Sequence, residues 1–223
     1  MALDRPGPDA QSHALCAYAW FVCVPARSLH SGGQHDCVRS AGVIMDTASH
    51  HKQLIWAGLL LGIGLGGFFD GIVLHQILQW HHMLSSQGNY PVTTVAGLEV
   101  NTLWDGFFHA FTYVATIAGL FLLWRAARQP HATWPTKLLA GLLLMGWGAF
   151  NLVEGLIDHQ LLGIHHVNEK APTEQWIWWD LGFLAWGAIM LLGGWRLARS
   201  GETEQPTGPQ RSERVPGTHP GSG

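Results

Sequence analysis

Four long apolar runs dominate this sequence and indicate that it folds in a membrane rather than in water. They lie at about Leu54–Trp80, Leu103–Trp124, Leu138–Gly163 and Trp176–Trp195. Each run reaches the ~20 residues that a helix needs to cross a hydrocarbon core, and none has a polar face that suits water. Charged residues make up only 12% of the chain, against about 25% in soluble domains. The sequence therefore predicts an all-α, polytopic membrane protein with four transmembrane helices, and it disfavours a soluble bundle.

Basic residues predict the orientation of these helices. They stand before the first run, between the second and third, and after the fourth: Lys52, Arg125, Arg128, Lys137, Arg196 and Arg199. The loop at 83–101 has no Lys or Arg, and the loop between runs three and four has only Lys170. By the positive-inside rule we expect a multi-pass protein of the inner (cytoplasmic) membrane with both termini in the cytoplasm. A formal net charge of −3 gives no reason to expect a nucleic-acid partner.

An internal match divides the chain into two similar halves. The stretch "DGIVLHQILQWHH" (70–82) aligns without a gap with "EGLIDHQLLGIHH" (154–166). Runs two and four share a Trp-Asp pair and a basic ending as well. We therefore expect a transmembrane domain at 50–199 that is a tandem duplication of a two-helix hairpin, with repeats at 50–128 and 137–199. His109 stands opposite Leu184, and Asp158 opposite Leu74, so a site built by the repeat is expected to be asymmetric.

Ionisable residues gather at one depth of the predicted bundle, near its outer face. At 100° per residue, Asp70 and His81 share one helical stripe, and His75 and His82 share another. We expect His81 and His165 to point inward, whereas His82 and His166 are either entrance ligands or surface residues. The candidate metal ligands are His75, His81, His109, His159, His165, Asp70, Asp105 and Glu154. Possible supporting residues are His82, His166, Asp158 and Asp180.

The residue types in this group favour a transition-metal site. Ionisable groups in a bilayer are costly and usually face a partner inside the bundle, and imidazole with carboxylate suits Cu, Fe or Zn. The Asp-x4-His and Glu-x4-His spacings differ from the Glu-x-x-His motif of di-iron bundles, so the metal stays open. We expect either metal handling or metal-dependent redox or hydrolytic chemistry, the latter acting on a lipid-soluble substrate.

Three other readings of the same residues stay open. His75 and His159 occupy equivalent positions and could supply the two axial ligands of a b-type haem in an electron-transfer protein. The group could also be a purely structural polar network in a membrane assembly partner. An ion or proton path is a weaker alternative, because the charged residues stop at mid-membrane.

Three stretches carry a resemblance to a known family. They are "GIGLGGFFDGIVLHQILQWHHML", "NTLWDGFFHAFTY" and "GWGAFNLVEGLIDHQLLGIHHV". They resemble the bacterial family of predicted four-span membrane proteins catalogued as domain of unknown function 2243, over about residues 50–200. The resemblance implies four spans. Members are often encoded near cytochrome oxidase assembly factors, so it also implies possible respiratory-oxidase or metal-handling partners, by association alone.

The two ends of the chain differ in composition from the four runs. Residues 1–49 hold all three cysteines (Cys16, Cys23 and Cys37) and no clear period. We expect an N-terminal extension that is disordered or follows from a mis-called start codon, with Met45 as the alternative start. Residues 200–223 are polar and rich in Pro and Gly, which predicts a disordered cytoplasmic tail.

Overall fold

A computed structural model describes residues 31–129 and 135–203, and every regular element in those ranges is helical. The long helices are α1 (Ser31–Phe69), α2 (Val95–Ala127), α3 (Thr136–Glu154) and α4 (Thr173–Thr203). α1 runs on without a break into a π-helix at Asp70–Ile77, and α3 into another at Gly155–Leu161. The predicted all-α class is confirmed. α1 begins inside the segment that the sequence set apart as an N-terminal extension, whereas residues 1–30 and 204–223 lie outside the described ranges.

Four helical stretches are long and apolar enough to cross a membrane, as predicted. They are Ser49–Ile77, Val95–Ala127, Thr136–Leu161 and Thr173–Gly201. The first and third are about half buried inside the protein, whereas the second and fourth expose most of their surface. The exposed side chains of α2 and α4 include large apolar ones such as Phe107, Val114 and Ile189. These outer faces are therefore the surfaces that contact the lipid bilayer.

α1 and α3 form the central pair of the bundle. α2 packs against α1 and α4 packs against α3, on the two sides of this pair. Where α1 and α3 cross, a Cβ on Gly62 would overlap the carbonyl oxygen of Leu143, and a Cβ on Gly146 would overlap that of Leu59. Small residues at such a crossing let two backbones approach closely in a membrane. The two helices that end in π-helices are thus held side by side.

The two ends of the bundle differ in chemistry. At one end a buried apolar cluster joins Leu54, Leu138, Leu142 and Ala198. The other end carries the π-helices and the loops at 78–94 and 162–172, and most of the buried polar side chains are there. The loops are bonded to each other by Ser86 N–H to Ile164 O at 3.1 Å and by Glu169 N–H to Trp80 O at 3.0 Å. They form a cap over that end of the bundle.

Candidate metal centre

The π-helices bring carboxylates next to histidines five residues further along the chain. A π-helix forms i→i+5 hydrogen bonds and is frequent at functional sites, so residues five apart lie above one another. Asp70 Oδ2 lies 3.0 Å from His75 Nε2, and Glu154 Oε1 lies 3.7 Å from His159 Nε2. The α-helical stripe that separated His75 from Asp70 is therefore wrong, because the helix widens at that point.

A left-handed residue ends each π-helix and turns the chain back toward the bundle. Gln79 has φ of 48° and Gly163 has φ of 55°. The next N–H in each case reaches back into the helix, from Trp80 to Leu74 O at 2.9 Å and from Ile164 to Asp158 O at 3.0 Å. Such a left-handed residue is a common way to end a helix. As a result His81 and His165 leave the helix and return over its end.

Six of the predicted ligands meet inside the protein in what we call the six-residue cluster. Its members are Asp70, His75, His81, Glu154, His159 and His165, and every one is at least 94% buried. Three overlapping triads each offer ligand atoms that all lie within 4.8 Å of one another. The triads are His75–His81–His165, Glu154–His159–His165 and Asp70–His81–Glu154. The inward direction that the sequence predicted for His81 and His165 is found, although the turns at Gln79 and Gly163 produce it rather than a shared helical stripe.

Several buried polar atoms of the cluster have no hydrogen-bond partner among the described residues. They are both carboxylate oxygens of Asp70, Oε2 of Glu154, Nε2 of His75 and His81, and both ring nitrogens of His159. His75 Nε2 and Asp70 Oδ2 are 3.0 Å apart but lack hydrogen-bond geometry. A buried polar atom without a partner costs about 1–3 kcal/mol. Neighbouring ligand atoms around one metal ion lie about 3–3.5 Å apart, so the spacing of this pair suits a shared cation.

Bonds at the opposite ring nitrogens fix the orientation of three of the four cluster histidines. His75 Nδ1 donates to Asp105 Oδ1 at 2.9 Å. His81 Nδ1 donates to Val167 O at 2.9 Å, and His165 Nδ1 donates to Met83 O at 3.1 Å. A carbonyl oxygen only accepts, so Nδ1 carries the proton in His81 and His165 and Nε2 keeps its lone pair. In His165 this Nε2 lies 3.5 Å from Glu154 Oε1. A histidine bound to a metal typically has this arrangement.

The electrostatics of the cap keep its two cluster histidines neutral. Burial, followed by the neighbouring His165 and His75 rings, lowers the pKa of His81 well below its usual value. Burial, followed by the charge of His75, lowers the pKa of His165 to about 3. Only neutral imidazole binds a metal ion. Both rings are therefore in the binding form at neutral pH.

Asp105 and Asp180 lie behind the cluster and hold the parts of the cap in place. Asp105 accepts from His75, from His82 Nδ1 at 2.6 Å and from Met83 N–H at 2.9 Å. Asp180 accepts from His166 Nδ1 at 2.7 Å and from Val167 N–H at 3.0 Å, while His159 Nδ1 is 3.7 Å away. Asp105, which the sequence proposed as a ligand or an orienting carboxylate, thus orients a histidine. His82 and His166 tie the cap to α2 and α4 through these bonds.

Two of the predicted residues belong neither to the cluster nor to the carboxylate–histidine pairs behind it. His109 is half-buried, and its Nδ1 donates to Asp105 O at 2.7 Å in the preceding turn of α2. Its ring lies beside Gly71, and it belongs to none of the triads found among the described residues. Asp158 is half-buried in the second π-helix, where it lines a cavity next to Glu154. The structure therefore does not bring His109 or Asp158 together with the other ligands.

Sequence reasoning missed one buried polar side chain that positions the cap. Asn101 is fully buried in α2, where its Oδ1 accepts from Leu84 N–H at 2.8 Å. Its Nδ2 donates to Tyr90 O at 2.9 Å and to Gly97 O at 3.0 Å. The sequence offers one signal for this role, which is that Asn101 is a polar residue one helical turn before Asp105 in an apolar helix. Asn101 fastens the loop that carries His81 to the helix that carries Asp105.

Two apolar cavities open beside the cluster, in the gaps between helices that do not pack together. One, of about 360 Å³, lies between α2 and α3 and is lined by Phe108, Phe111, Phe150 and Glu154 among others. The other, of about 550 Å³, lies between α1 and α4 and is lined by Asp70, Phe183 and Trp186 among others. Each cavity thus reaches one carboxylate of the cluster.

Comparison with known proteins places the chain in a family. The family model described as "Predicted membrane protein (DUF2243)" matches residues 57–201, a range that includes all six cluster residues. The chain belongs to the DUF2243 family. For this DUF2243 member, no curated protein and no solved structure gives a significant match. The fold and the site of this member therefore have to be interpreted from its own residues.

Proposed function

We propose that this protein binds a transition-metal ion in the six-residue cluster. The observation that carries the proposal is that the buried Nε2 atoms of His75 and His81 have no partner, while their Nδ1 atoms are bonded. Nitrogen donors combined with the oxygens of Asp70 and Glu154 suit Cu, Fe or Zn. A bound cation would give a partner to each of these atoms.

A purely structural polar network accounts for the cluster less well. Buried polar groups in folded proteins are hydrogen-bonded in more than about 90% of cases. The hydrogen bonds within the cap satisfy this rule at Asp105 and at Asp180. Nε2 of His159 and both oxygens of Asp70 do not satisfy it. The supporting residues therefore fit a structural network, whereas the cluster that they surround fits a ligand set.

Haem and ion conduction are also less well supported. His75 and His159 would have to lie on opposite faces of a porphyrin, but the rings of His81 and His165 stand between them. The ring centroid of His81 is 4.3 Å from that of His75, and the centroid of His165 is 4.9 Å from that of His159. A conduction path would need polar groups along the whole bundle, whereas Leu54, Leu138 and Leu142 are packed together at its other end.

From the orientation that the basic residues predict, we infer that the proposed site lies near the outer face of the membrane. With both termini in the cytoplasm and the chain in the inner membrane, the cap at 78–94 and 162–172 faces outward. A protein that hands over a metal would then meet its partner on that face. A respiratory-oxidase or metal-handling protein remains the proposed partner on the basis of the family resemblance alone.

The cavities favour a second candidate function, which is metal-dependent chemistry on a small molecule dissolved in the bilayer. A metal-transfer protein needs no apolar cavity beside its ligands. Here each cavity has a volume within the range of about 300–1,000 Å³ that is typical of ligand pockets, and each meets a cluster carboxylate. In this case a bound metal ion would act as a Lewis acid or activate water, while Phe108 and Phe111 would hold the apolar substrate.

Elemental analysis of detergent-purified protein tests the metal proposal. We expect a transition metal to co-purify with the unaltered protein, and less of it to co-purify with His159→Ala. In His109→Asn, the matched control outside the cluster, the metal content should stay the same. A metal-free protein that also fails to bind Zn²⁺, Cu²⁺ or Fe²⁺ would contradict the proposal.

Photolabelling in vesicles tests the second candidate. An apolar diazirine dissolved in the bilayer should label Glu154 or Asp158 in the cavity between α2 and α3. Ala149→Phe, which fills this cavity, should abolish that labelling and leave the labelling of the outer faces of α2 and α4 unchanged. Labelling confined to the outer faces in the unaltered protein would exclude the candidate without affecting the metal proposal.

A further inference from the structure

We propose that the six-residue cluster holds two metal ions, one beside the Asp70–His75 pair and the other beside the Glu154–His159 pair. This inference rests on the proposed function and adds a number of ions and a division of the ligands. The ions would be first-row divalent cations, for which nitrogen and oxygen donors are suited.

The order of the imidazole rings is the first argument for two ions. The rings follow one another as His75, His81, His165 and His159, and successive centroids are 4.3, 4.6 and 4.9 Å apart. The ring of His75 is 5.9 Å from that of His165, and the ring of His159 is 6.2 Å from that of His81. The four rings thus form a row whose two ends are separate, rather than a ring around one point.

The size of the close groups is the second argument. In an octahedral shell with bonds of about 2.1 Å, even opposite ligand atoms are only about 4.2 Å apart. Six ligands around one such ion would therefore form a single group within 4.8 Å. The groups found among the described residues have three members each and overlap. Overlapping triads are the pattern that two neighbouring ions would produce.

Each end of the row has its own carboxylate and its own support. Asp70 lies beside His75, whose other nitrogen is held by Asp105. At the other end Glu154 lies beside His159, and Asp180 stands behind it at 3.7 Å from Nδ1. Both ends therefore have a carboxylate and a histidine at the interior and a second carboxylate behind.

The middle of the row completes both sites. His165 forms a triad with Glu154 and His159. His81 shares one triad with His75 and another with Asp70, so each proposed ion would gain a third protein ligand. Asp70, His81 and Glu154 form one of the triads, which means that the two carboxylates approach each other between the proposed ions. Carboxylates in this position can bridge two cations, and paired metal ions in proteins are about 3.5–4 Å apart.

Metal counting tests this inference and separates it from the proposed function. Chelator-stripped protein in detergent is loaded with Zn²⁺, freed of excess metal and measured by elemental analysis. We expect two Zn²⁺ per chain in the unaltered protein and in the His109→Asn control, and one in each of His75→Gln and His159→Gln. One Zn²⁺ per chain in the unaltered protein overturns the inference and leaves the proposed function standing. No bound Zn²⁺, Cu²⁺ or Fe²⁺ overturns both.

A measurement on the unaltered protein keeps the inference testable if the variants fail to fold. Stripped protein is loaded with Cu²⁺ and examined by electron paramagnetic resonance. Two Cu²⁺ ions at the separation of a paired site interact magnetically, so the spectrum should show a coupled pair at full loading and an uncoupled ion at low loading. An uncoupled spectrum at full loading would overturn the inference.

Discussion

The imidazole rings of His81 and His165 lie face to face, with centroids 4.6 Å apart and planes inclined by 2°. Each ring donates Nδ1–H to a backbone carbonyl from the other half of the chain, His81 to Val167 and His165 to Met83. The two loops that cap the bundle are therefore bonded to each other through the same residues that contribute to the cluster. The closed cap and the proposed ligand set therefore depend on the same two residues.

Acid should destabilise the metal-free protein through these two residues. In the unfolded chain both histidines have a pKa near 6.5, and burial lowers it in the folded protein, to about 3 for His165. The unfolded chain therefore binds more protons below pH 6.5, so stability is lost as the pH falls from about 6.5 toward 3, and above 6.5 the two residues contribute no pH dependence. Thermal unfolding of stripped protein in detergent between pH 8 and 5 measures the effect. The double variant His81→Asn, His165→Asn should flatten the profile, and an equal slope in both proteins would contradict the prediction.

Asp105→Asn should weaken metal binding more than the matched change Asp180→Asn. Asp105 accepts a bond from a cluster histidine at 2.9 Å, whereas Asp180 is 3.7 Å from the equivalent ring. Loss of a carboxylate that orients a metal-bound histidine costs about 10–100-fold in affinity. We expect a loss in that range for Asp105→Asn and a smaller one for Asp180→Asn, measured by competition for Zn²⁺ with a chelator of known affinity. Equal losses of affinity, or a larger loss for Asp180→Asn, would contradict the prediction that the carboxylate closer to its histidine contributes more to metal binding.

Exchanging the residues at the two left-handed positions should have opposite effects on stability. Gln79 and Gly163 both have positive φ, a conformation that only glycine adopts without cost. Gln79→Gly should therefore raise the free energy of unfolding, and Gly163→Gln should lower it, each by about 1 kcal/mol. Thermal unfolding in detergent checks the signs. A loss of stability in Gln79→Gly would show that its side chain matters more than its backbone conformation.

Gly62→Ala should disturb the crossing of α1 and α3 and with it the cluster. A Cβ at this position would overlap the carbonyl oxygen of Leu143 and approach Gly146 Cα to 2.8 Å, and overpacking of this kind costs about 1–3 kcal/mol. Gly106→Ala is the matched control, since no atom lies within 4 Å of a Cβ there. We expect a lower unfolding temperature and less bound metal for Gly62→Ala only. Equal behaviour of the two variants would contradict the close crossing.

Much of the architecture followed from the sequence because apolar length is a strong signal. The four spans and the all-helical class are as predicted, since about 20 apolar residues have few other folds open to them. The local geometry at Asp70 and His75 did not follow, because a period of 3.6 residues predicts an α-helix where the chain forms a π-helix. The five-residue spacing of both pairs, Asp70–His75 and Glu154–His159, is the signal that distinguishes the two geometries.

The internal match between the two halves distinguishes the cluster residues from the other predicted residues better than residue type does. His109 stands opposite Leu184, and Asp158 opposite Leu74. These two residues, which break the match, lie outside both the cluster and the carboxylate–histidine pairs that support it. All six cluster residues have a counterpart of similar chemistry in the other half. Bonds made in both halves, such as those of His82 to Asp105 and His166 to Asp180, support the duplication, which stays a proposal. Asn101 could not be found in this way, because its role depends on the path of a loop.

X-ray absorption at the edge of the bound metal is the most direct test of the central claim, that the six-residue cluster forms a metal centre. The spectrum of the purified protein should contain nitrogen or oxygen neighbours at about 2.0–2.2 Å and the outer-shell scattering that is characteristic of imidazole. Normalised to protein concentration, the imidazole contribution should fall in His75→Gln and stay unchanged in His109→Asn. A metal surrounded only by water or by sulfur, or an imidazole signal per protein chain that His75→Gln leaves intact, would contradict the account.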